Sequence, residues 1–198
     1  MRDMVASLDA LQVTRALPVM PMSGSGDTGL VTQADASPVI TGSPQRPPRP
    51  PSETVELVEV DRSHRAVLEN LGQLYRHDLS EAYRHLPNQD GTFNNRRLDL
   101  FRTDPERRAW LINVAGRLGG FVMTAPADHG GTTISDFFVV RALRRTGMGR
   151  EAARQAIAMF PGRWSIGFQS YNPGVQRLWS QVASDAVGDA WAYTTTRQ

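Results

Sequence analysis

The segment ISDFFVVRALRRTGMGREAARQA, residues 134–156, constrains the fold more than any other part of the chain. Ile134 to Val140 form an apolar run that reads as a buried strand. Arg141 to Thr146 make an arginine-rich connection, and Gly147-Met148-Gly149 opens into a helix with Ala152, Ala153, Ala156, Ile157 and Phe160 on its inner face. This arrangement suits an anionic phosphate. The first N–H groups of a helix have no intrahelical acceptor, and the helix dipole adds partial positive charge beside them. Gly147 and Gly149 allow close backbone approach, and Arg144, Arg145 and Arg150 can add charge-assisted hydrogen bonds. The same spacing also serves an ordinary strand-to-helix turn.

Two other phosphate loops fit less well. A Walker A loop ends in Gly-Lys-Ser/Thr, and the chain contains no lysine. Gly147 to Ala152 matches G-x-G-x-x-A, but the dinucleotide fingerprint lies in the tight turn after its strand and wants an acid at the end of the next one. Here Arg141 to Thr146 intervene, and the next strand, WSIGFQS, carries no acid.

Composition removes further classes. The 198 residues include no cysteine, so thiolate metal sites and cysteine nucleophiles are excluded, and His64, His77, His85 and His129 are too scattered for a metal motif. No metal is expected. The formal charge is +2, and acids and arginines are interspersed rather than gathered in a basic stripe, so no nucleic-acid partner is expected. Charges or prolines break every apolar run well short of a membrane span, and Asp3, Asp9 and Arg15 interrupt the place of a secretory signal. A cytoplasmic protein with no membrane partner is expected.

Residues 1–52 hold Gly/Ser/Thr/Asp clusters and end with five prolines within the eight residues 44–51, which reads as a disordered extension and an extended spacer. ASLDALQVTRAL suggests at most a short amphipathic helix. Removal of residues 1–52 is therefore expected to leave stability and ligand affinity unchanged. From residue 53 the pattern is that of one domain. TVELVEV alternates as a strand; Asp61 caps a helical stretch with Leu68, Leu71, Tyr75 and Leu79 in register; RRLDLFRTDPERR carries a short apolar segment. A hairpin turns at Ala115-Gly116-Arg117. The strand and helix of the arginine-rich segment follow, then a strand at WSIGFQS, a helix opened by Asn172-Pro173 and a last strand at AWAYTTTR. The order β, α(α), β, β, β, α, β, α, β fits a mixed sheet with helices on both faces.

At these residues the chain resembles the GNAT superfamily of N-acetyltransferases. Arg144-Arg145-Thr146-Gly147-Met148-Gly149 matches the family's Gln/Arg-x-x-Gly-x-Gly/Ala signature after its fourth strand. Downstream, Asn172 occupies the position of a frequent family asparagine, and Trp179 replaces the tyrosine that often follows it. The resemblance implies an α/β (α+β) fold with a mixed, mostly antiparallel sheet of six to seven strands over residues 53–198. It implies acetyl-CoA as co-substrate, its pantetheine arm beside Phe138, Val139 and Val140, its pyrophosphate on Arg144 to Arg150, with Asn172 and Trp179 near the arm. A backbone N–H at Val139 or Val140 would polarise the thioester. Asp136, where the family often has glutamate, is the expected general base, and Tyr171 a substitute for the missing tyrosine acid. Trp179 has only an N–H to offer and is otherwise expected in the core. Tyr75 and Asp78, with His77, Glu81 and Tyr83 on the same helix, are expected to face a small-molecule or peptide amine. The pattern is compatible with a homodimer. The alternative is a non-catalytic acyl-CoA-binding or regulatory module.

Overall fold

The computed structural model describes residues 10–17, 54–128, 130–169 and 173–197. Their elements, in chain order, are β1 (Ala10–Leu17), β2 (Val55–Glu59), α1 (Arg65–Tyr83), α2 (Arg96–Thr103), β3 (Arg108–Val114), β4 (Arg117–Pro126) and β5 (Thr132–Val139). A 3-10 turn (Arg141–Leu143) leads into α3 (Met148–Ala158), followed by β6 (Arg163–Gln169), α4 (Pro173–Val187) and β7 (Trp191–Arg197). The strands form one mixed sheet in the order β2-β3-β4-β5-β6-β1-β7. Its β2-β3-β4-β5 half is antiparallel, and the pairings β5·β6, β6·β1 and β1·β7 are parallel.

Local sequence explains most of these elements. Asp61 is not the cap of α1, whose N-cap position is His64; it accepts hydrogen bonds from the N–H groups of Ser63 and His64 at 2.7 and 3.2 Å and so shapes the turn that leads into the helix. Ala115 (φ 50°) and Gly116 (φ 73°) both take left-handed backbone, the conformation that a two-residue hairpin between twisted strands requires. The segment expected only to be apolar, RRLDLFRT, is the helix α2. Its Leu98 packs with Leu68 and Leu71 of α1 against Leu111, Phe121 and Phe138 of the sheet. On the opposite face, Ala153, Ala156 and Ile157 of α3 and Val182 and Ala183 of α4 pack on Trp110, Val122, Ile134 and Trp164. The sheet is thus buried on both sides, and its inner strands carry apolar residues at successive positions rather than at alternate ones. No helix among the described residues is long and apolar enough to cross a membrane.

The extension contains a correction. Residues 10–17 are neither helical nor outside the sheet. They form β1, registered with β6 from Ala10↔Arg163 to Ala16↔Gln169 and with β7 from Leu11↔Trp191 to Leu17↔Arg197. The boundary drawn at residue 53 therefore does not hold for this strand, and the rest of residues 1–53 lies outside the described residues. A short helix is marginal alone, whereas two strand edges satisfy every second backbone group of an octapeptide on each side. Tertiary pairing overrides the local helical pattern.

Among the described residues β7 pairs with the sheet only through β1. Deleting residues 1–17 is therefore expected to lower Tm by at least about 5 °C in thermal unfolding. An unchanged Tm would show that β1 adds nothing to the native sheet.

Candidate active site

The site is built around the point where β5 leaves its neighbour. β5 pairs with β6 only at Thr132↔Trp164, Thr133↔Ser165 and Ile134↔Ile166, although both strands continue beyond. Past Ile134 the two strands diverge, and a gap opens along the C-terminal half of β5. On its other side β5 stays paired with β4 up to Gly120↔Val139. Val140 donates its N–H to Gly119 O at 2.9 Å. Because alternate residues of a strand turn their polar groups to opposite neighbours, Val139 and Phe137 direct N–H and C=O into the gap. The N–H of Val140, expected as a candidate oxyanion donor, is consumed by β4; that of Val139 faces the gap.

A β-bulge sets which side chains line this gap. Thr124 pairs with Ile134 and Met123 with Asp136, so Ser135 is the extra residue. The bulge reverses the alternation. Ile134 points into the α3/α4 core, whereas Asp136, two residues on, lies on the α1/α2 face with Phe138. The carbonyl of Ser135, freed from the ladder, accepts a 2.6 Å hydrogen bond from Arg97 Nη1 of α2.

Asp136 is 6% exposed, and its Oδ2 makes no hydrogen bond; Arg97 Nη1 stands 3.6 Å away. Burial raises its pKa above the ordinary carboxylate value, and the positive charge of Arg97, together with Ser135, Arg76 and Tyr75, opposes but does not cancel the rise. Tyr75 packs at 5.7 and 5.9 Å from the rings of Phe121 and Phe138. Burial and the nearby Asp136 charge push its hydroxyl far above the usual range. Tyr75 and Asp136 therefore meet on one face of the sheet. Arg97, Arg76 and Ser135 were not anticipated. The signal for Arg97 was present: Asn95 precedes RRLDLF, with Leu98 and Phe101 at helical spacing.

The arginine-rich connection is held at both ends. Met148 is buried among Val55, Ile112, Val114 and Val139, and Leu143 packs with the same cluster. Arg145 (φ 63°) and Gly147 (φ 93°) take left-handed backbone, so the chain curls ahead of α3. Thr146 Oγ1 donates to Leu143 O at 2.6 Å, and the first helical bond runs from Glu151 N–H to Gly147 O. The N–H groups of Gly149 and Arg150 thus precede the first intrahelical acceptor. A cleft of about 570 Å³ lined by Gly147, Met148, Arg150, Glu151, Arg154 and Asp185 lies at this helix end. Arg150 reaches Asp185 at 2.5 Å through a two-point contact.

Two expected roles are corrected. Asp78 does not face an acceptor: Arg141 donates to its Oδ1 at 3.0 and 2.7 Å, and Arg144 binds its Oδ2. Burial works against ionisation there, but the hydrogen bonds from Arg144 and Arg141 outweigh it and hold the carboxyl below its usual pKa. Arg144 is turned back from the phosphate loop. Its Nε donates to Val139 O at 2.8 Å, and its guanidinium lies 5.7 Å from the centre of the Phe138 ring. Asp78 is a clamp between α1 and the loop. Trp179 is buried in the core, edge-on to Phe137 at 5.2 Å. Tyr171 and Asn172 lie outside the described residues. No metal-holding group of acids and histidines occurs among the described residues.

The profile of the Acetyltransferase (GNAT) family matches residues 68–182, more than half of the chain. The chain belongs to that family. A solved acetyltransferase from Thermus thermophilus is 20% identical with a TM-score of 0.53, covering 65% of this chain and 84% of its own. A four-site mutant of a Bacillus halodurans protein is 15% identical with a TM-score of 0.50, covering 64% of this chain and 91% of its own. At these identities the likeness shows the fold. No curated protein matches the chain significantly. The GNAT assignment agrees with the strand divergence and the curled loop.

The glycines separate fold from ligand approach. A Cβ on Gly149 would meet Val139 Cγ2 at 3.5 Å and Phe137 Cε1 at 3.8 Å, ordinary contact distances, whereas Gly147 holds φ 93°. Gly149→Ala is expected to keep Tm within about 2 °C, and Gly147→Ala to lose roughly 1 kcal/mol or more in chemical denaturation. Equal effects at the two positions would contradict this backbone assignment.

Proposed function

We propose that this GNAT protein is an N-acetyltransferase that moves an acetyl group from acetyl-CoA to a primary amine by direct attack, in the cytoplasm. The observation that carries the reading is the buried, incompletely bonded carboxylate of Asp136, held beside the open edge of β5. The residues fit acetyl-CoA in two respects. Val139 and Phe137 offer a strand edge left by β6, its Val139 carbonyl already bonded to Arg144, to an amide-bearing arm, and the curled loop before α3 offers N–H groups and a cleft to a pyrophosphate. The co-substrate supplies an activated acyl carbon.

An acceptor amine is mostly protonated at neutral pH, with an ordinary pKa of about 10.4 for a lysine-type group. Asp136, whose raised pKa makes it a stronger base than an exposed aspartate, takes one proton. The amine nitrogen then bonds to the carbonyl carbon, the nitrogen gives up its second proton to water, the C–S bond breaks, and the departing thiolate takes a proton from water. Val139 N–H is the donor suited to the developing oxyanion. Holding amine and thioester together contributes on the order of 7–11 kcal/mol in the best cases. Trp179 is packed in the core and supplies no acid, and a thiol leaving group with a pKa of roughly 8.5 can depart as thiolate without one. Acetyl-CoA titration with thiol release over a panel of amines tests the reading. Binding without turnover on any amine would instead indicate a non-catalytic acyl-CoA-binding module.

Two variants extend the test. Gly149→Val should weaken acetyl-CoA binding by at least ~30-fold, about 2 kcal/mol, in calorimetric titration of a folded protein. Wild-type affinity in that variant would remove the phosphate role of the loop. Asp136→Asn should lower kcat/KM by roughly 100-fold or more and abolish the acidic limb of its pH profile. Since folding raises the pKa of Asp136, its neutral form is favoured in the native state, and stability falls as pH rises through the folded value. Asp136→Asn should therefore match wild-type Tm at low pH and exceed it above that transition. A variant less stable than wild type at high pH would show that the carboxylate is a structural ion pair instead.

A further inference from the structure

We infer that the acceptor is a small α-amino acid, its amine delivered to Asp136 and its carboxylate held by Arg97. The inference rests on the acetyltransferase reading and narrows its substrate class. Around Asp136 the structure gathers three buried side-chain polar atoms short of a well-formed hydrogen bond, Asp136 Oδ2, Ser135 Oγ and Arg76 Nε, with Ser135 and Tyr75 near enough to the carboxyl to favour its charged form weakly. Buried polar atoms are normally satisfied, and three orphans in one cluster mark a place where a polar ligand supplies the missing partners.

Charge decides which ligand. Arg97 and Arg76 both act electrostatically on Asp136 and on Tyr75, so two guanidinium groups stand beside a single carboxylate. The next acid along α1, Asp78, is already shared by Arg141 and Arg144. A polyamine or an aminoglycoside would bring only further positive charge to this cluster. An acceptor that carries an anion neutralises the surplus. Geometry sets where that anion must be. Arg97 Nη1 lies 3.6 Å from Asp136 Oδ2, so a ligand meeting both with opposite charges is best matched by ammonium and carboxylate borne on one carbon. That is the α-amino acid pattern. Arg97 can serve it because only Nη1 is committed to Ser135 O, while 54% of its side chain is exposed and a planar guanidinium has a second edge for a carboxylate.

The experiment uses the full chain. Acetyl-CoA binding is measured first by calorimetry. Thiol release is then followed for the common L-amino acids, for the amine that each gives on loss of its carboxyl group, for spermidine, and for a peptide with a free N-terminus. At least one amino acid should be turned over with kcat/KM ~30-fold or more above its decarboxylated partner. Arg97→Gln should raise KM for that amino acid about 10-fold or more, leave KM for acetyl-CoA within about two-fold, and lower kcat/KM for the amino acid at least about 10-fold more than for the decarboxylated amine; Arg97→Lys should restore part of the loss. Acetylation of spermidine, the peptide or the plain amines in preference to every amino acid would overturn the inference and leave the N-acetyltransferase reading standing. Acetyl-CoA binding without turnover of any of them would overturn both. The wild-type comparison of amino acid with amine stands even if Arg97→Gln does not fold.

Discussion

The separation of β5 from β6 after Ile134 is the constraint on which the site depends. Three residue pairs fasten the two strands, and beyond them the polar backbone of β5 at Phe137 and Val139 faces a gap. Arg144 satisfies the Val139 carbonyl, and the polar groups that neither β6 nor Arg144 meets call for water or for a ligand carrying its own amide groups. Every other part of the site is referred to this edge. The bulge at Ser135 rotates Asp136 to the α1/α2 side without interrupting pairing to β4, and the turn after Val140 brings the loop back over the same end of the sheet.

Two ion clusters hold that geometry from the helical side. Asp78 ties Arg141 and Arg144 to α1, and Arg97 fastens α2 to the bulge carbonyl. Because Arg144 also donates to Val139 O, the clamp touches the free strand edge directly, and α1 is coupled to the position where the acyl donor would lie. Exposed ion pairs contribute little to stability, which assigns these contacts to positioning rather than to folding.

Much of the frame was legible in the sequence because it follows from periodicity. The alternation in TVELVEV, the hairpin at Ala115-Gly116 and Gly147 ahead of α3 each prescribe a backbone conformation, and each occurs where expected. The GNAT signature at Arg144 to Gly149 marked the connection before α3 but assigned the Arg144 side chain to phosphate, since a sequence does not show that Asp78, 66 residues earlier, lies in reach. The same limit hid the partnership of Arg97 with Ser135. β1 was missed for another reason: ALQVTRAL has no strong local preference, and its conformation is decided by the two strand edges that flank it.

The most direct test of the open-edge arrangement is backbone amide hydrogen exchange, read residue by residue with and without saturating acetyl-CoA. Before ligand is added, Val140 should be protected by its bond to Gly119 O, while Phe137 and Val139 exchange faster than their neighbours. Acetyl-CoA should then slow exchange at Phe137 and Val139 and at Gly149 and Arg150, with little change at Val140. Tight acetyl-CoA binding that leaves Phe137 and Val139 unprotected would contradict it, because the acyl donor would then lie somewhere other than along β5.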